Sequence, residues 1–326
     1  MNRIAILVET SLASGRQILS GIARYLQEHD DISIFHHSGQ LGEMNPKSLI
    51  DWKGDGIIAR VLNPSIADLL IQTGLPTVDV LGNVTSQNFP LVKCNNHAIG
   101  KMVANSFIQS GFGHFGMIGL SDTSWSIDRE TAFREAAAPH QESIHSLHVK
   151  ETDSEQMNIS ATMNALRDWL PTLPKPIGIL VASDQFAPLL FEVAHEFKIR
   201  IPEDMAVIGV DNDAPYCELC RPALSSVAPN HEQVGYAATQ LLVKMIAGKR
   251  PAKPIIEIEP RLIHLRRSSS YLAVDDPHLA SALEHIRKHA CEGLSIDQVS
   301  RHCGLSRSVL QRRFRAHLNR TVGESI

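Results

Sequence analysis

Polar side chains follow almost every apolar run in the first 265 residues of this 326-residue chain. In open parallel sheets, ligands bind beyond the carboxyl ends of the strands, so these side chains are candidates for one site. They offer carboxylates and amides that can chelate adjacent hydroxyls, guanidinium groups that can bind ring oxygens, and an indole that can stack on a C–H face. This chemistry predicts a small polyhydroxylated ligand such as a monosaccharide. The residues are Glu9, Ser11, Ser14, Arg16, Arg60, Asn63, Asn83, Asn95, Asn96, Asp122, Trp125, Asp128, Arg129, Ser183, Asp184, Gln185, Asp211, Asn212 and Asp213.

Each of these residues has a structural alternative, because polar side chains also cap helices and form turns. Ser183 and Asp184 precede an amphipathic stretch at 186–197 and are plausible N-caps. The combination favours a binding site more strongly than any single residue does.

Three aspartates of the set, Asp122, Asp184 and Asp211, could instead suggest a metal or acid–base catalysis. No loop has the alternating acidic pattern of a calcium site, no His accompanies these aspartates, and no Gly-x-Ser-x-Gly motif occurs. The lone Cys-x-x-Cys of Cys217 and Cys220 is better explained as two buried thiols than as a zinc or redox motif. The sequence therefore predicts binding without catalysis, and neither a metal nor a cofactor.

The elements that must position these residues alternate between strands and helices as far as about residue 265. Such alternation predicts parallel sheets with helices on both faces, and its length favours two α/β lobes over one sheet. A closed eight-fold barrel fits poorly, because the run at 255–259 has no helix after it. The predicted strands are 4–8, 32–35, 56–59, 77–81, 115–120, 177–182, 206–210 and 255–259, and the predicted helices are 17–28, 66–72, 97–109, 130–137, 186–197 and 232–247.

Composition is that of an ordinary soluble chain, with 43% hydrophobic and 20% charged residues. No apolar run approaches the roughly 20 residues that a membrane span needs. The odd number of cysteines, 5, argues for reduced thiols over a disulfide framework. We therefore expect a cytoplasmic protein without a membrane partner.

The charge is divided unevenly between the body of the chain and its C-terminal part. Residues 278–326 carry eight basic and four acidic side chains, whereas the rest carries 23 basic and 31 acidic ones. A small basic module on an acidic body favours contact with a polyanion such as DNA, although a solvated basic helix remains the alternative.

The C-terminal pattern predicts a helix-turn-helix. Leu279, Leu283 and Ile286 indicate a first helix, Ser295 with Gln298 forms a capping box for a second, and a third spans 307–318 after a turn at 304. In the third helix, Leu310, Phe314 and His317 are predicted to face the core. The opposite face can enter a major groove, where Gln and Arg read base edges, and the helix start can bind phosphates. The predicted DNA-binding residues are Ser306, Arg307, Ser308, Gln311, Arg312 and Arg315.

Specific motifs resemble two known families. The stretches at 181–185 (VASDQ), 207–213 (VIGVDND) and 224–227 (LSSV) are similar to the LacI/GalR-type sugar-binding core, which has a periplasmic-binding-protein-like fold. The stretch at 304–314 (GLSRSVLQRRF) resembles the first helix-turn-helix of AraC/XylS-type regulators. The two-part combination is similar to the family of bacterial xylose-operon regulators.

This resemblance implies a transcription regulator, and not an enzyme, that binds a pentose, most likely xylose, between its lobes. It further implies operator DNA as a partner, a homodimer, and loops around Arg16 and Trp125–Arg129 that close over the sugar. A sugar-metabolising enzyme or a non-regulatory sugar-binding protein is the alternative function. The expected domains are a core at 1–268, a linker at 269–277 and a partial AraC-type domain at 278–326; because the second helix-turn-helix is missing, we expect a fragment. The predicted effector site comprises Arg16, Arg60, Trp125, Arg129, Asp184 and Asp211.

Overall fold

The computed structural model contains two six-stranded sheets, each flanked by helices, followed by three C-terminal helices. This architecture confirms the predicted two-lobed α/β core with a small all-α domain. The structure describes residues 1–36, 49–84, 89–140, 144–149, 158–270, 276–289, 292–318 and 321–326, without the side chain of Arg287.

The first lobe is built on a parallel sheet of order β11-β5-β4-β3-β1-β2. Its strands are β1 (Asn2–Leu7), β2 (Ile32–His36), β3 (Gly56–Ala59), β4 (Thr77–Asp79), β5 (Leu91–Cys94) and β11 (Ile255–Ile258), and its helices are α1 (Ala13–Gln27), α2 (Pro64–Gln72) and α8 (His231–Ile246).

The second lobe has the order β12-β10-β9-β8-β6-β7, with only β12 antiparallel among the described strands. Its strands are β6 (His114–Leu120), β7 (Ile144–Val149), β8 (Ile177–Val181), β9 (Met205–Val210), β10 (Ser225–Ala228) and β12 (Leu262–His264), and its helices are α3 (Asn96–Gln109), α4 (Ser124–Ala137), α5 (Ile159–Trp169), α6 (Ala187–Glu196) and α7 (Ala214–Leu219).

The first strand shows why the strands of these sheets appear in the sequence as continuous apolar runs. Ile4 and Ile6 belong to the core formed with α1 and α8, whereas Ala5 and Leu7 belong to the core on the side of α2. Successive residues of a strand point to opposite faces, so a central strand covered on both faces must be apolar throughout. Each large side chain buried in this way contributes about 1.5–3 kcal/mol.

The described chain passes between the lobes three times, from β5 to α3, from β10 to α8 and from β11 to β12. The helix that begins at the second crossing is held tightly against α1. A Cβ atom at Gly21 would lie 1.8 Å from the carbonyl oxygen of Glu232, and one at Gly235 would lie 2.0 Å from that of Ile18. The two glycines therefore let α1 and α8 pack backbone to backbone, which fixes the start of α8 beside the crossing.

Four of the strands, β5, β7, β10 and β12, lie outside the predicted runs. The strand β10 contains Ser225 and Ser226, which weaken its apolar pattern although both are fully buried. Their hydroxyls are hydrogen-bonded to Arg266, Ser269 and Asp184 inside the lobe. Buried polar groups must be paired, and these pairs come from residues distant in sequence.

The polar stretch at 266–270, where the expected core meets the expected linker, is bonded to the second lobe. Residues Arg267–Ser269 form a short 3-10 helix, and the Ser268 hydroxyl donates to the carbonyl oxygen of Val207 at 2.7 Å. Ser268 is fully buried. The polar composition of residues 266–270 therefore reflects their hydrogen bonds to the second lobe. Residues 271–275 of the expected linker lie outside the described part of the chain.

The C-terminal helices are α9 (Pro277–His289), α10 (Ile296–His302) and α11 (Arg307–Leu318). The capping box of Ser295 and Gln298 is present, and Gly304 has a φ of 68° in the turn. Leu310 and Phe314 are buried as predicted. The prediction for His317 is wrong: it is exposed, and Leu318 takes the core position because it lies one turn after Phe314.

Candidate functional site

Three predicted site residues, Arg129, Asp184 and Asp211, meet at one end of the second sheet. Asp184 follows β8, Asp211 follows β9, and Arg129 lies on α4 within electrostatic range of both carboxyl groups. Arg129 and Asp184 are deeply buried, and the Asp211 side chain is 15% exposed. Burial of a charge is costly unless it is paired, so the three groups depend on one another.

Asp211 is held as a carboxylate. It has a φ of 107°, a backbone conformation that non-glycine residues rarely adopt. Burial favours its neutral form, but a hydrogen bond with His231, the charge of Arg129 and a 3.0 Å bond from the Ser183 hydroxyl outweigh burial and hold the pKa of Asp211 below its usual value.

Asp184 has the opposite character. Burial and the neighbouring charge of Asp211 raise its pKa well above the usual value for an aspartate. Its Oδ2 atom accepts from the backbone N–H of Asp213 at 2.9 Å, and the Ser226 hydroxyl donates to its Oδ1 at 2.8 Å. A Cβ atom at Gly209 would lie 2.1 Å from Oδ1, so Gly209 makes the space for this carboxyl group. Both carboxyl oxygens of Asp184 therefore accept hydrogen bonds from other groups of the protein.

Arg129 and Trp125 lie on a helix, not in the loop that the sequence predicted. The helix α4 begins at Ser124, so residues four apart share a face. The Arg129 guanidinium lies 4.8 Å from the centre of the Trp125 ring, its Nε donates to Asn96 at 3.0 Å, and Nη1 donates to the carbonyl oxygen of Ala182. These contacts fix one flat cation above one aromatic face.

The first lobe contributes Arg60, which follows β3, and Glu9, which follows β1. The two form a buried ion pair through Arg60 Nη1 and Glu9 Oε1, and Arg60 acts electrostatically on Arg129. Among the described residues, Glu9 Oε2, Arg60 Nε and the hydroxyls of Ser121 and Thr123 are buried without a hydrogen-bond partner. Such orphaned atoms are rare in folded proteins and indicate groups available to a ligand.

Direct contacts also join the lobes at the mouth of this site. The Asp213 carboxylate accepts from the Ala13 backbone N–H at 3.2 Å and lies 3.5 Å from the Arg16 guanidinium. Because α1 begins at Ala13, Arg16 lies in the first turn of this helix, where the sequence predicted a loop. On the other side, Asn83 accepts from the Ser124 backbone N–H at 3.0 Å. The six predicted effector residues are thus linked, directly or through Asp213, by contacts and electrostatic interactions near the boundary between the lobes.

Sequence reasoning missed two residues at the crossings. His231 begins α8, with its Nε2 3.3 Å from Asp211 Oδ1 and its Nδ1 3.4 Å from Cys94 Sγ. Cys94 ends β5. The available signal was that both residues directly flank a strand-to-helix crossing, but neither belongs to a motif, and only the fold brings them to Asp211.

A separate groove of about 460 Å³ lies between α3 and β12. Its lining includes Lys101, Met102, Ile263 and Leu265, and none of the predicted site residues. Within the described residues, no group of three or more His, Cys, Asp or Glu side chains could hold a metal ion. No described helix is long and apolar enough to span a bilayer.

Family models match three consecutive stretches of the chain. Residues 3–96 match the XylR N-terminal domain, residues 104–269 match the periplasmic binding protein-like domain, and residues 286–325 match the bacterial regulatory helix-turn-helix proteins of the AraC family.

Relatives match the whole arrangement. The xylose operon regulatory protein of Escherichia coli K12 is 31% identical over 98% of this chain and 83% of its own length, and that of Haemophilus influenzae is 29% identical over 99% and 85%. The chain belongs to the xylose operon regulatory protein family. The solved structure of the xylose-binding transcription activator xylR is 30% identical in sequence and superimposes with a TM-score of 0.73. The match covers 99% of this chain and 84% of that one. The protein is a DNA-binding transcription regulator and not an enzyme.

The regulator presents its predicted DNA-binding residues on and before α11. Ser306, Arg307, Ser308, Arg312 and Arg315 are exposed, and Gln311 is partly exposed. Arg307 pairs with Asp297 but stays exposed, whereas Arg313 is only partly exposed and its ion pair with Asp276, before α9, helps to hold the domain together. The helix thus separates a packing face from a basic outer face.

Proposed function

We propose that this regulator is controlled by a pentose, D-xylose, bound between its two lobes. The observation that supports this most is the meeting of charged and orphaned polar groups from both lobes: Arg129 and Asp211 from the second, Glu9 and Arg60 from the first. A ring of adjacent hydroxyls matches such acceptors and donors. The names of the relatives in E. coli and H. influenzae point to the same sugar.

The proposed roles follow from how each group is held. Asp211 and Arg129 bind hydroxyl oxygens directly, Trp125 gives the apolar face, and Glu9 joins Arg60 as a contact from the first lobe. Asp184 accepts from the backbone N–H of Asp213, so its proposed role is to hold the loop at 211–213. Arg16 acts at the mouth, where it contacts Asp213.

Closure of the lobes is the proposed signal. A ligand that touches both lobes binds the closed form more tightly than the open one and shifts the population towards it. We propose a homodimer in which this closure changes the spacing of the two DNA-binding domains, each joined to its core through residues 269–277. DNA affinity then depends on the sugar through the coupling between the two sites.

On the DNA, Gln311, Arg312 and Arg315 are proposed to contact base edges from α11 in the major groove. Ser306, Arg307 and Ser308 are proposed to contact phosphates at its start, where backbone N–H groups and the helix dipole favour anions. The contacts to phosphates position the helix, and the contacts to bases give specificity.

Isothermal titration calorimetry of the full chain against D-xylose, other pentoses and hexoses tests the proposal. We expect saturable binding of D-xylose and at least tenfold weaker binding of the hexoses, with a change in affinity for operator DNA on addition of D-xylose. Absence of binding by every pentose would remove the effector assignment, and binding without any change in DNA affinity would remove the closure mechanism.

A further inference from the structure

A buried relay of three side chains lies where the chain crosses between the lobes. The Sγ atom of Cys94 is 3.4 Å from His231 Nδ1, and His231 Nε2 is 3.3 Å from Asp211 Oδ1. The three come from the ends of β5 and β9 and the start of α8. A thiol, an imidazole and a carboxylate in this order are the elements of an activated cysteine nucleophile, in which the carboxylate orients the imidazole that takes the thiol proton.

Two cationic side chains lie near the sulfur of Cys94, a setting in which proteins hold reactive cysteines. His231 is one cation beside the sulfur, and the Arg129 guanidinium is a second that interacts with it electrostatically. Both cations face the proposed effector pocket through their contacts with Asp211. Cys94 is 5% exposed, so small molecules reach it when the lobes part.

The cysteines of the second lobe provide a contrast within the same chain. Cys217 and Cys220 are buried beside Asp184, and Cys217 donates a hydrogen bond to it. Burial and the charge of Asp184 raise the pKa of the Cys220 thiol to about 12 and move that of Cys217 in the same direction. These thiols are therefore inert at neutral pH.

We propose that Cys94 is a modification site, a nucleophilic thiol that takes small disulfides in the open effector pocket. His231 accepts the thiol proton, the Cys94 thiolate attacks one sulfur of the disulfide, and the S–S bond breaks as the new mixed disulfide forms. The leaving thiolate takes the proton from His231, so the exchange is balanced without a further oxidant. A reducing thiol reverses it.

A mixed disulfide on Cys94 would occupy space beside Asp211 and Arg129. If the proposed function is right, it competes with D-xylose, and the regulator then responds to the thiol redox state as well as to the sugar. This consequence rests on the proposed function, whereas the reactivity of Cys94 does not.

The test is reaction of the full-length chain, without sugar, with 4,4′-dithiodipyridine at pH 7, with each cysteine followed by peptide mass spectrometry. Cys94 is expected to react at least tenfold faster than Cys217 and Cys220, and dithiothreitol is expected to restore it. Cys94→Ser should remove the fast phase of thiopyridone release, while Cys217→Ser should leave it unchanged. A Cys94 rate no greater than that of Cys217 would overturn the proposal.

The pH profile separates activation from simple accessibility. The charged groups that face the Cys94–His231 pair are Arg129 on α4 and Asp211 after β9. Burial would lower the pKa of His231, but Cys94 and Asp211 together raise it to about 9, so His231 can hold the thiol proton at neutral pH. The Cys94 rate should therefore be nearly constant between pH 7 and pH 8.5.

In His231→Gln, the rate should instead fall about tenfold per pH unit below an ordinary thiol pKa of about 8.5. The same steep dependence in the wild-type chain would contradict activation even if the variant did not fold. D-Xylose should slow the wild-type reaction. Rapid reaction at Cys94 that D-xylose does not slow would contradict the proposed sugar site but not the reactivity of Cys94. Binding of D-xylose to a chain whose Cys94 does not react would contradict the proposed reactivity but not the sugar site.

Discussion

Asp211 and Asp184 carry the same functional group at the ends of neighbouring strands, and their surroundings give them opposite properties. Hydrogen bonds and the charge of Arg129 lower the pKa of Asp211, whereas burial and the Asp211 charge raise that of Asp184. When two carboxyl groups share a buried site, repulsion between like charges moves their pKa values apart, as it does here. The ionised one is held by Ser183, His231 and the charge of Arg129, and the other supports the backbone at Asp213.

Exchanging each aspartate for asparagine should separate these roles. Asp211→Asn removes a charge that balances Arg129 and His231, so we expect the affinity for D-xylose to fall at least 100-fold. Asp184→Asn replaces a group whose raised pKa favours its neutral form, and the Ser226 hydroxyl can accept from the new amide, so a change of less than fivefold is expected. Calorimetry on both variants checks this; equal losses would contradict the division of roles.

The charge of His231 should make the stability of the chain depend on pH. Its pKa in the folded chain is about 9, against 6.5 for a free imidazole. The charge on His231 therefore gives the folded state stability that is complete below about pH 6.5 and is lost as pH rises towards 9. The melting temperature should fall between pH 7 and pH 9.5.

The matched variant for this measurement is His231→Gln, which keeps a polar side chain but has no titrating group. We expect its melting temperature to change less than that of the wild type over the same interval. Parallel curves for the two chains would show that other groups cause the pH dependence.

Among the helices, α11 combines a packing function with a recognition function because its periodicity assigns them to opposite faces. Leu310, Phe314 and Leu318 are buried, and Arg312 and Arg315 are exposed. The ion pair of Arg313 and Asp276 belongs to the packing side. A basic residue in this helix is therefore not automatically a DNA contact.

We expect Gln311→Ala and Arg312→Ala each to weaken binding to operator DNA by about 1–3 kcal/mol, because each removes a side chain able to read a base edge. Binding to a scrambled duplex should change much less for Gln311→Ala. Fluorescence anisotropy at fixed salt measures both. Lys288→Ala, at an exposed lysine of α9 that pairs with Glu284, is the control and should have little effect. Equal losses in all three variants would remove the assignment of a recognition face.

At the scale of the whole molecule, a few polar contacts join the two lobes at the mouth of the proposed site. Asp213 connects the second lobe to the start of α1, and Lys93 connects the first lobe to Asp128 on α4 at 3.0 Å. These contacts are few compared with the cores of the lobes. Such an arrangement allows a ligand to shift the balance between open and closed forms.

Asp213→Ala should shift this balance towards the open form, because it removes the acceptor for the Ala13 N–H and the partner of Arg16. We expect a larger radius of gyration by small-angle X-ray scattering and about tenfold weaker D-xylose binding, which corresponds to about 1.4 kcal/mol. Saturating sugar should restore the wild-type dimensions. Asp204→Ala, which breaks the Arg200 pair within the second lobe, is the control. An unchanged radius in Asp213→Ala would show that other contacts set the closure.

Much of the architecture could be predicted from sequence, because the rules involved are local. The apolar runs predicted β3 at 56–59 without error, and the Ser295–Gln298 box predicted the start of α10. The strand β10 was missed because its two serines are buried by partners far away in the chain. The placement of Trp125 and Arg129 in a loop was wrong because α4 starts earlier than its apolar pattern does.

By itself, the sequence determined the two α/β lobes, the helix-turn-helix and the chemical types gathered at the strand ends, since each follows from periodicity, capping or composition over a few residues. Tertiary structure alone decided which of those side chains ionise and which are free. Asp184 and Asp211 are the same residue type in the sequence, and Cys94 and His231 belong to no sequence motif. Their properties depend on burial and on partners brought together by the crossings between the lobes, which no short stretch of sequence encodes.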